Sequence, residues 1–226
     1  MVSSIIPAAE PVLRLDLEKG GPGHVLGPLA LSLIPGETVA LTGPSGVGKT
    51  SLLRIVAGLD GRFAGRRMAT ERIAMVFQEP VLLPWRTALQ NLTIVARIDE
   101  AEARRWLEDV GLAGLGDRFP GMLSLGQQRR LSLARAFAST PDLLLMDEPF
   151  VSLDPALADE MMGLFERLIA ARPCATLLVT HVRAEAERLA GRILRLEGRP
   201  ARLAGEDQKA GAYFPLSASG VTTSRS

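Results

Sequence analysis

Leu13, Leu15 and Leu17 alternate with Arg14, Asp16 and Glu18, and Leu29, Leu31 and Leu33 repeat the alternation before a turn at Pro35-Gly36. A period of two marks a half-buried strand, so this pattern predicts two antiparallel strands. Residues 37–42 then read as a buried strand, and Leu52, Leu53, Val56 and Ala57 fall at helical spacing up to Gly58. The Gly- and Arg-rich residues 58–72 carry neither period and predict an exposed connection. A short buried strand is expected over 73–77, after which Pro80 and Pro84 interrupt regular structure. Residues 99–110 predict a helix with an Asp99/Glu102 capping box, an apolar stripe of Ala103, Trp106, Leu107 and Val110, and Gly111 as its stop. Another helix is expected over 125–138, and no strand pattern occurs between Gln78 and Pro141.

The strand pattern returns at 143–146, a continuous apolar run suited to a central parallel strand. Asp154 and Pro155 cap a helix whose Leu157, Met161, Leu164, Phe165, Leu168 and Ile169 share a face. Strands at 175–180 and 192–196 and a helix at 183–190 complete the pattern. Residues 1–11 are expected to form a loose leader, and from Gly205 the small, polar composition predicts a disordered tail.

Composition narrows the function classes. The 226 residues carry 26 basic and 25 acidic side chains, a net charge of +1, which gives no electrostatic reason to expect nucleic acid as the partner. The single cysteine, Cys174, excludes an internal disulfide and suits a reducing compartment. No apolar run approaches the roughly 18 residues of a membrane-spanning helix. The chain is therefore expected to be cytosolic and to reach any membrane through a partner.

Residues Gly43, Pro44, Ser45, Gly46, Val47, Gly48, Lys49 and Thr50 form a complete G-x-x-x-x-G-K-[ST] loop between a predicted strand and a predicted helix, followed by Ser51. Its glycines allow backbone N–H groups to turn inward as an anion cradle at the positive end of the helix. Lys49 is then placed to reach the β- and γ-phosphates, and the Thr50 hydroxyl to ligate Mg²⁺. Asp147 and Glu148 end the apolar run that begins at Leu143. Two adjacent acids at a strand end can face different sides, Asp147 holding Mg²⁺ directly or through water and Glu148 polarising a water for attack on the γ-phosphate.

Leu123-Ser124-Leu125-Gly126-Gln127, followed by a basic, Ala-rich helix, resembles the signature of the ATP-binding cassette ATPases, Leu-Ser-Gly-Gly-Gln. The resemblance covers residues 12–204. It implies an α/β fold with a P-loop NTPase (RecA-like) core, an antiparallel β subdomain and an inserted α-helical subdomain over about 84–140. It also implies that Ser124, Gly126 and Gln127 meet ATP bound by a second cassette, so that the working unit is a dimer, either a homodimer of this chain or a pair with a paralogue. Gln78 matches the family glutamine of the Mg²⁺ and water shell, His181 the switch histidine, and Ser152-Leu153-Asp154 the loop that crosses between subunits. Leu125 stands where the family has a glycine, and a left-handed backbone there would strain it. The loop from Lys19 to His24 lacks the aromatic ring that stacks on adenine in the family, leaving His24 to stack or the base loosely held.

The stretch from Val76 to Trp85 looks like its counterpart in bacterial importers of nitrate, sulfonates, taurine and pyrimidine precursors. The implied function is the ATP-hydrolysing subunit of such an importer, peripheral on the cytoplasmic side of the inner membrane. Its implied partners are integral permease subunits and, indirectly, a periplasmic or surface solute-binding protein. Leu82, Leu83, Pro84 and Trp85 are then expected near the permease docking groove, the alternative being that Trp85 fills the core of the helical subdomain. The competing readings are a soluble cassette acting on DNA or ribosomes, whose usual long insertions find no room here, and a small-molecule kinase, which leaves the signature and His181 without a role.

Overall fold

The computed structural model describes residues 10–208, so the expectations for residues 1–9 and 209–226 lie outside it. The elements run β1 (Leu13–Gly20), β2 (Leu29–Leu33), β3 (Thr38–Thr42), α1 (Lys49–Val56), β4 (Phe63–Ala69), β5 (Ile73–Val76), α2 (Ala88–Ala96), α3 (Glu100–Asp109), α4 (Leu125–Ala138), β6 (Leu143–Asp147), α5 (Pro155–Ala171), β7 (Ala175–Val179), α6 (Arg183–Leu189), β8 (Arg192–Gly198) and β9 (Ala201–Gln208).

The strands form two sheets, one of order β2-β1-β4 and one of order β5-β6-β7-β3-β8-β9. In the first, all strands are antiparallel, and the alternating leucines of β1 and β2 lie on its buried face. In the second, the five strands from β5 to β8 are parallel and only β9 runs against its neighbour. Strands buried on both faces need apolar side chains at every position, which explains the unbroken runs of β6 and β7. Leu143, Leu145, Leu177 and Val179 face α1 and the antiparallel sheet, whereas Leu144, Met146 and Leu178 join the cluster built by α2 to α5. Successive residues of one strand thus serve two cores.

Three expectations are corrected. Residues 58–72 contain β4, an edge strand with Arg66 opposite Asp16 and Arg67 opposite Leu15; its half-exposed face hides the strand period. Gly65 is required there, since a Cβ at its φ of +133° would lie 2.1 Å from the Asp16 carbonyl oxygen. Residues 205–208, assigned to the tail, continue β9 against β8, with Arg192 opposite Gln208. Finally, Asp99 caps α3 by accepting from the Glu102 N–H, without the reciprocal bond of a capping box.

The α2 helix has no counterpart among the expected elements. It begins with a full capping box, the Thr87 hydroxyl accepting from Gln90 N–H while the Gln90 side chain accepts from Thr87 N–H. Buried Asn91 then ties the preceding loop to the helix. Its carbonyl accepts from Leu83 N–H at 2.8 Å, and its amide donates to the carbonyls of Leu83, Arg86 and Thr87. Trp106 of α3 is buried in the same cluster, with the Arg172 guanidinium 3.8 Å over its ring.

Candidate nucleotide site

Four neighbouring parallel strands deliver the predicted residues to one edge of the sheet. The phosphate loop follows β3, Asp147 ends β6, His181 lies two residues past β7 and Gln78 two residues past β5. The carboxyl ends of parallel strands are where open α/β sheets hold ligands, because the loops there are free of ladder pairing.

The phosphate loop takes its shape from backbone that only glycine adopts without strain. Gly43 has φ +146°, and a Cβ on it would lie 2.4 Å from the Leu196 carbonyl oxygen; Gly48, at φ +114°, caps α1 with no side chain. The first N–H groups of α1 are thereby left for an anion. Lys49 is 5% exposed, and its ammonium donates to the carbonyls of Gly43 at 2.9 Å and Pro44 at 3.1 Å.

The Lys49 ammonium also lies 3.7 Å from Glu148 Oε1, while His181 Nδ1 lies 3.3 Å from Glu148 Oε2. One carboxylate thus stands between the loop lysine and the histidine. Glu148 reaches this position from a left-handed backbone, φ +47°, with its N–H donating to Val179 O at 2.9 Å. A non-glycine residue held there stores roughly 1–3 kcal/mol, which the surrounding packing must offset.

Beside it, Thr50 donates to Asp147 Oδ1 at 3.2 Å. Burial pushes the Asp147 carboxyl above the ordinary range, against the Thr50 hydrogen bond that favours its ionised form. Among the described residues no group of three His, Cys, Asp or Glu side chains could hold a metal ion. A hydroxyl and a carboxylate nevertheless fit Mg²⁺, which binds hard oxygens and completes its shell from phosphates and water.

The remaining predicted residues lie apart. Ser124 caps α4, its hydroxyl accepting from Gln127 N–H while Gln127 Oε1 accepts from Ser124 N–H. Asp154 likewise caps α5 by accepting from Leu157 N–H at 3.1 Å. The two helix starts meet where Gly126 faces Leu157; a Cβ on Gly126 would come within 3.2 Å of that side chain. Among the described residues, no hydrogen bond or ion pair joins Ser124, Gly126, Gln127, Asp154 or Gln78 to the phosphate loop. Leu125 is the first residue of α4 and has no left-handed backbone, so the strain expected from its departure is absent.

The loop from Lys19 to His24 packs against the start of α1, where a Cβ on Gly21 would lie 3.2 Å from Ser51 Cβ and one on Gly48 2.9 Å from Leu26. His24 is exposed at its end. Sequence reasoning missed the support beneath His181. The buried Thr180 hydroxyl donates to Glu185 Oε2 at 2.5 Å and accepts from Val182 N–H at 3.0 Å. A lone glutamate on a short helix gives no sequence signal; its burial, which raises its pKa, is visible only in the fold.

Residues 26–151 match the family model described as ABC transporter. The chain belongs to that family. The cassette is 44% identical over 190 residues to the aliphatic sulfonates import ATP-binding protein SsuB 2 of Paracoccus denitrificans, covering 83% of this chain and 77% of that protein. It is 48% identical over 172 residues to SsuB 3 of Paraburkholderia xenovorans, covering 75% and 70%. Among solved structures it resembles the ATP-binding cassette MJ0796, a dimer in a post-hydrolysis state bound to ADP and Pi (TM-score 0.76, 26% identity, 88% of this chain and 99% of that one). The fold is shared with cbiO1 from Clostridium perfringens, part of the transporter complex cbiONQ (TM-score 0.76, 23% identity, 88% and 89%). The cassette is an ATPase: it binds and hydrolyses ATP. No helix among its described residues is long and apolar enough to cross a membrane.

Proposed function

We propose that the cassette is the ATP-hydrolysing subunit of an importer for a small sulfonate or a similar solute. In this reading it lies on the cytoplasmic side of the inner membrane against permease subunits that receive solute from a periplasmic or surface binding protein. Two copies close head to tail over two ATP molecules, each phosphate loop facing the partner's signature. Lys49 exchanges its two carbonyl partners for phosphate oxygens, which offsets their charge. Mg²⁺, held by Thr50, Asp147 and Gln78, supplies further neutralisation of the phosphates when bound. Glu148 accepts a proton from the attacking water, and His181 and Gln78 close the shell around the γ-phosphate. The partner's Ser124, Gly126, Gln127 and Asp154 complete the other side.

The observation that carries the transport reading is Trp85, 68% exposed on a loop that Asn91 bonds on both sides of it, at Leu83 and Arg86. Of the four residues at issue Leu82 is buried, which assigns it to the core, and Trp85 is free to meet a partner. Val81 before it and Ile94 and Val95 on α2 are exposed as well. A hydrogen-bonded loop that presents an indole to solvent suits a hydrophobic segment of a permease. Trp85→Ala is expected to uncouple solute uptake in reconstituted vesicles while basal ATPase and melting temperature stay unchanged. Unaltered uptake, or unfolding of the variant, sinks the docking role.

A further inference from the structure

Only two cations among the described residues are buried, Lys49 and Arg129. Arg129 lies in α4, just over one turn after Ser124, and is 7% exposed. Among the described residues no carboxylate is within ion-pair distance of it, and burial lowers its pKa. A buried guanidinium without an acid is unfavourable unless its geometry is well satisfied. Its partners are two backbone carbonyls: Nη1 donates to Pro149 O at 2.6 Å and Nη2 to Val151 O at 2.9 Å, while Nε has no partner.

Those two carbonyls define what Arg129 holds. Pro149 directly follows Glu148, and Val151 directly precedes the Ser152-Leu153-Asp154 loop. The segment begins and ends in left-handed backbone, with φ +47° at Glu148 and φ +60° at Ser152. Left-handed backbone at both ends and a two-pronged clamp between them tie the position of this segment to Arg129. Arg129 and Pro149 also line a small cavity of about 10 Å³ with Phe77 and Pro80, which flank Gln78. One side chain of the signature helix therefore bonds the segment that follows Glu148 and shares a cavity with residues beside Gln78.

We propose that Arg129 is a positioning residue that couples the signature end of the cassette to Glu148 of the same chain. Resting on the two-copy reading above, engagement of Ser124 and Gly126 by the partner's ATP moves α4, and the two carbonyl bonds carry that movement to residues 148–152. The Glu148 carboxylate then takes its hydrolytic position only when the opposite site is filled. Arg129 touches no substrate.

The test uses the full chain with Arg129→Lys, Arg129→Gln and Arg129→Met, comparing ATP hydrolysis, its Hill coefficient, nucleotide affinity of the monomer and melting temperature. The Gln and Met variants are expected to lose about 10-fold in kcat, with the Hill coefficient falling toward one and monomer affinity for a fluorescent ATP analogue unchanged. Arg129→Lys, which keeps the charge but not the fork, is expected to recover part of both. A folded Gln variant with parental kcat and Hill coefficient overturns the proposal, as does a kcat loss that only tracks the folded fraction. Should Gln and Met not fold, Arg129→Lys decides: parental kcat and cooperativity overturn the coupling, and reduced values at parental monomer affinity support it. Glu148→Gln run alongside separates the readings, since full hydrolysis by that variant removes the site assignment itself.

Discussion

The phosphate-loop side and the signature side of this cassette are organised by opposite means. On the first, Lys49, Thr50, Asp147, Glu148 and His181 come from distant parts of the chain and touch one another across strand ends. On the second, Ser124, Gln127 and Asp154 bond to their own helix starts. The first side pre-arranges charged groups against each other, which keeps them in register before any ligand arrives. The second presents two capped helix starts to solvent, their polar side chains turned back on their own backbone. A catalytic side built within the chain and a binding side waiting for a partner is the division expected of a half-site.

Glu148→Gln cuts deepest into that division. Losing the acceptor for the water proton is expected to lower kcat by about 10²- to 10⁴-fold while ATP still binds, trapping a dimer visible by size exclusion. Hydrolysis at the parental rate in a steady-state assay rejects the role. Ser124→Ala addresses the other side. Removing the cap is expected to lower stability by about 1 kcal/mol in chemical denaturation and to weaken ATP-dependent dimerisation. Monomer affinity for nucleotide stays unchanged; a drop in it places Ser124 in its own chain's site.

Glu185→Gln probes the support beneath His181. Burial raises the Glu185 pKa, so the protonated form is the one the fold favours. The linked stabilisation is full in acid, below the ordinary carboxylate range, and is lost as pH rises through the raised pKa. The Gln variant, neutral throughout, is expected to melt higher than the parent at pH 7 and to lose that advantage on acidification; a constant difference across pH refutes the burial effect. Leu125→Gly has the smallest expected effect. Leu125 already has helical backbone, so glycine relieves no strain and costs up to about 1 kcal/mol of helix stability. Unchanged ATPase rates check this, and a faster variant contradicts it.

Legibility followed periodicity and special backbone. The leucine alternation of β1 and β2, the apolar runs of β6 and β7 and the Asp154 cap are local facts of sequence, and the structure has them where expected. Residues 63–69 escaped because an edge strand with Arg66 and Arg67 has no second face to cover, so nothing enforces an alternation. β9 escaped for a related reason: its partner β8, not its own small residues, holds it in the sheet. The α2 helix was legible in principle, through Thr87 and Gln90 three residues apart, but the prolines before it drew the reading toward a loop.

By itself the sequence determined that a Gly-rich loop ending in Lys49 and Thr50 lies between a strand and a helix, because both periods flank it, and in what order the strands and signature follow. The tertiary structure alone decided how those residues meet. The Glu148 carboxylate lies between Lys49 and His181 because β6 and β7 are neighbours and the backbone at Glu148 is left-handed, and neither fact is local. It also decided that Trp85 faces solvent while Trp106 is buried, and that Arg129 reaches Pro149 and Val151. Residues far apart in the chain become partners only when a packed core fixes their separation, and a one-dimensional pattern carries no record of that distance.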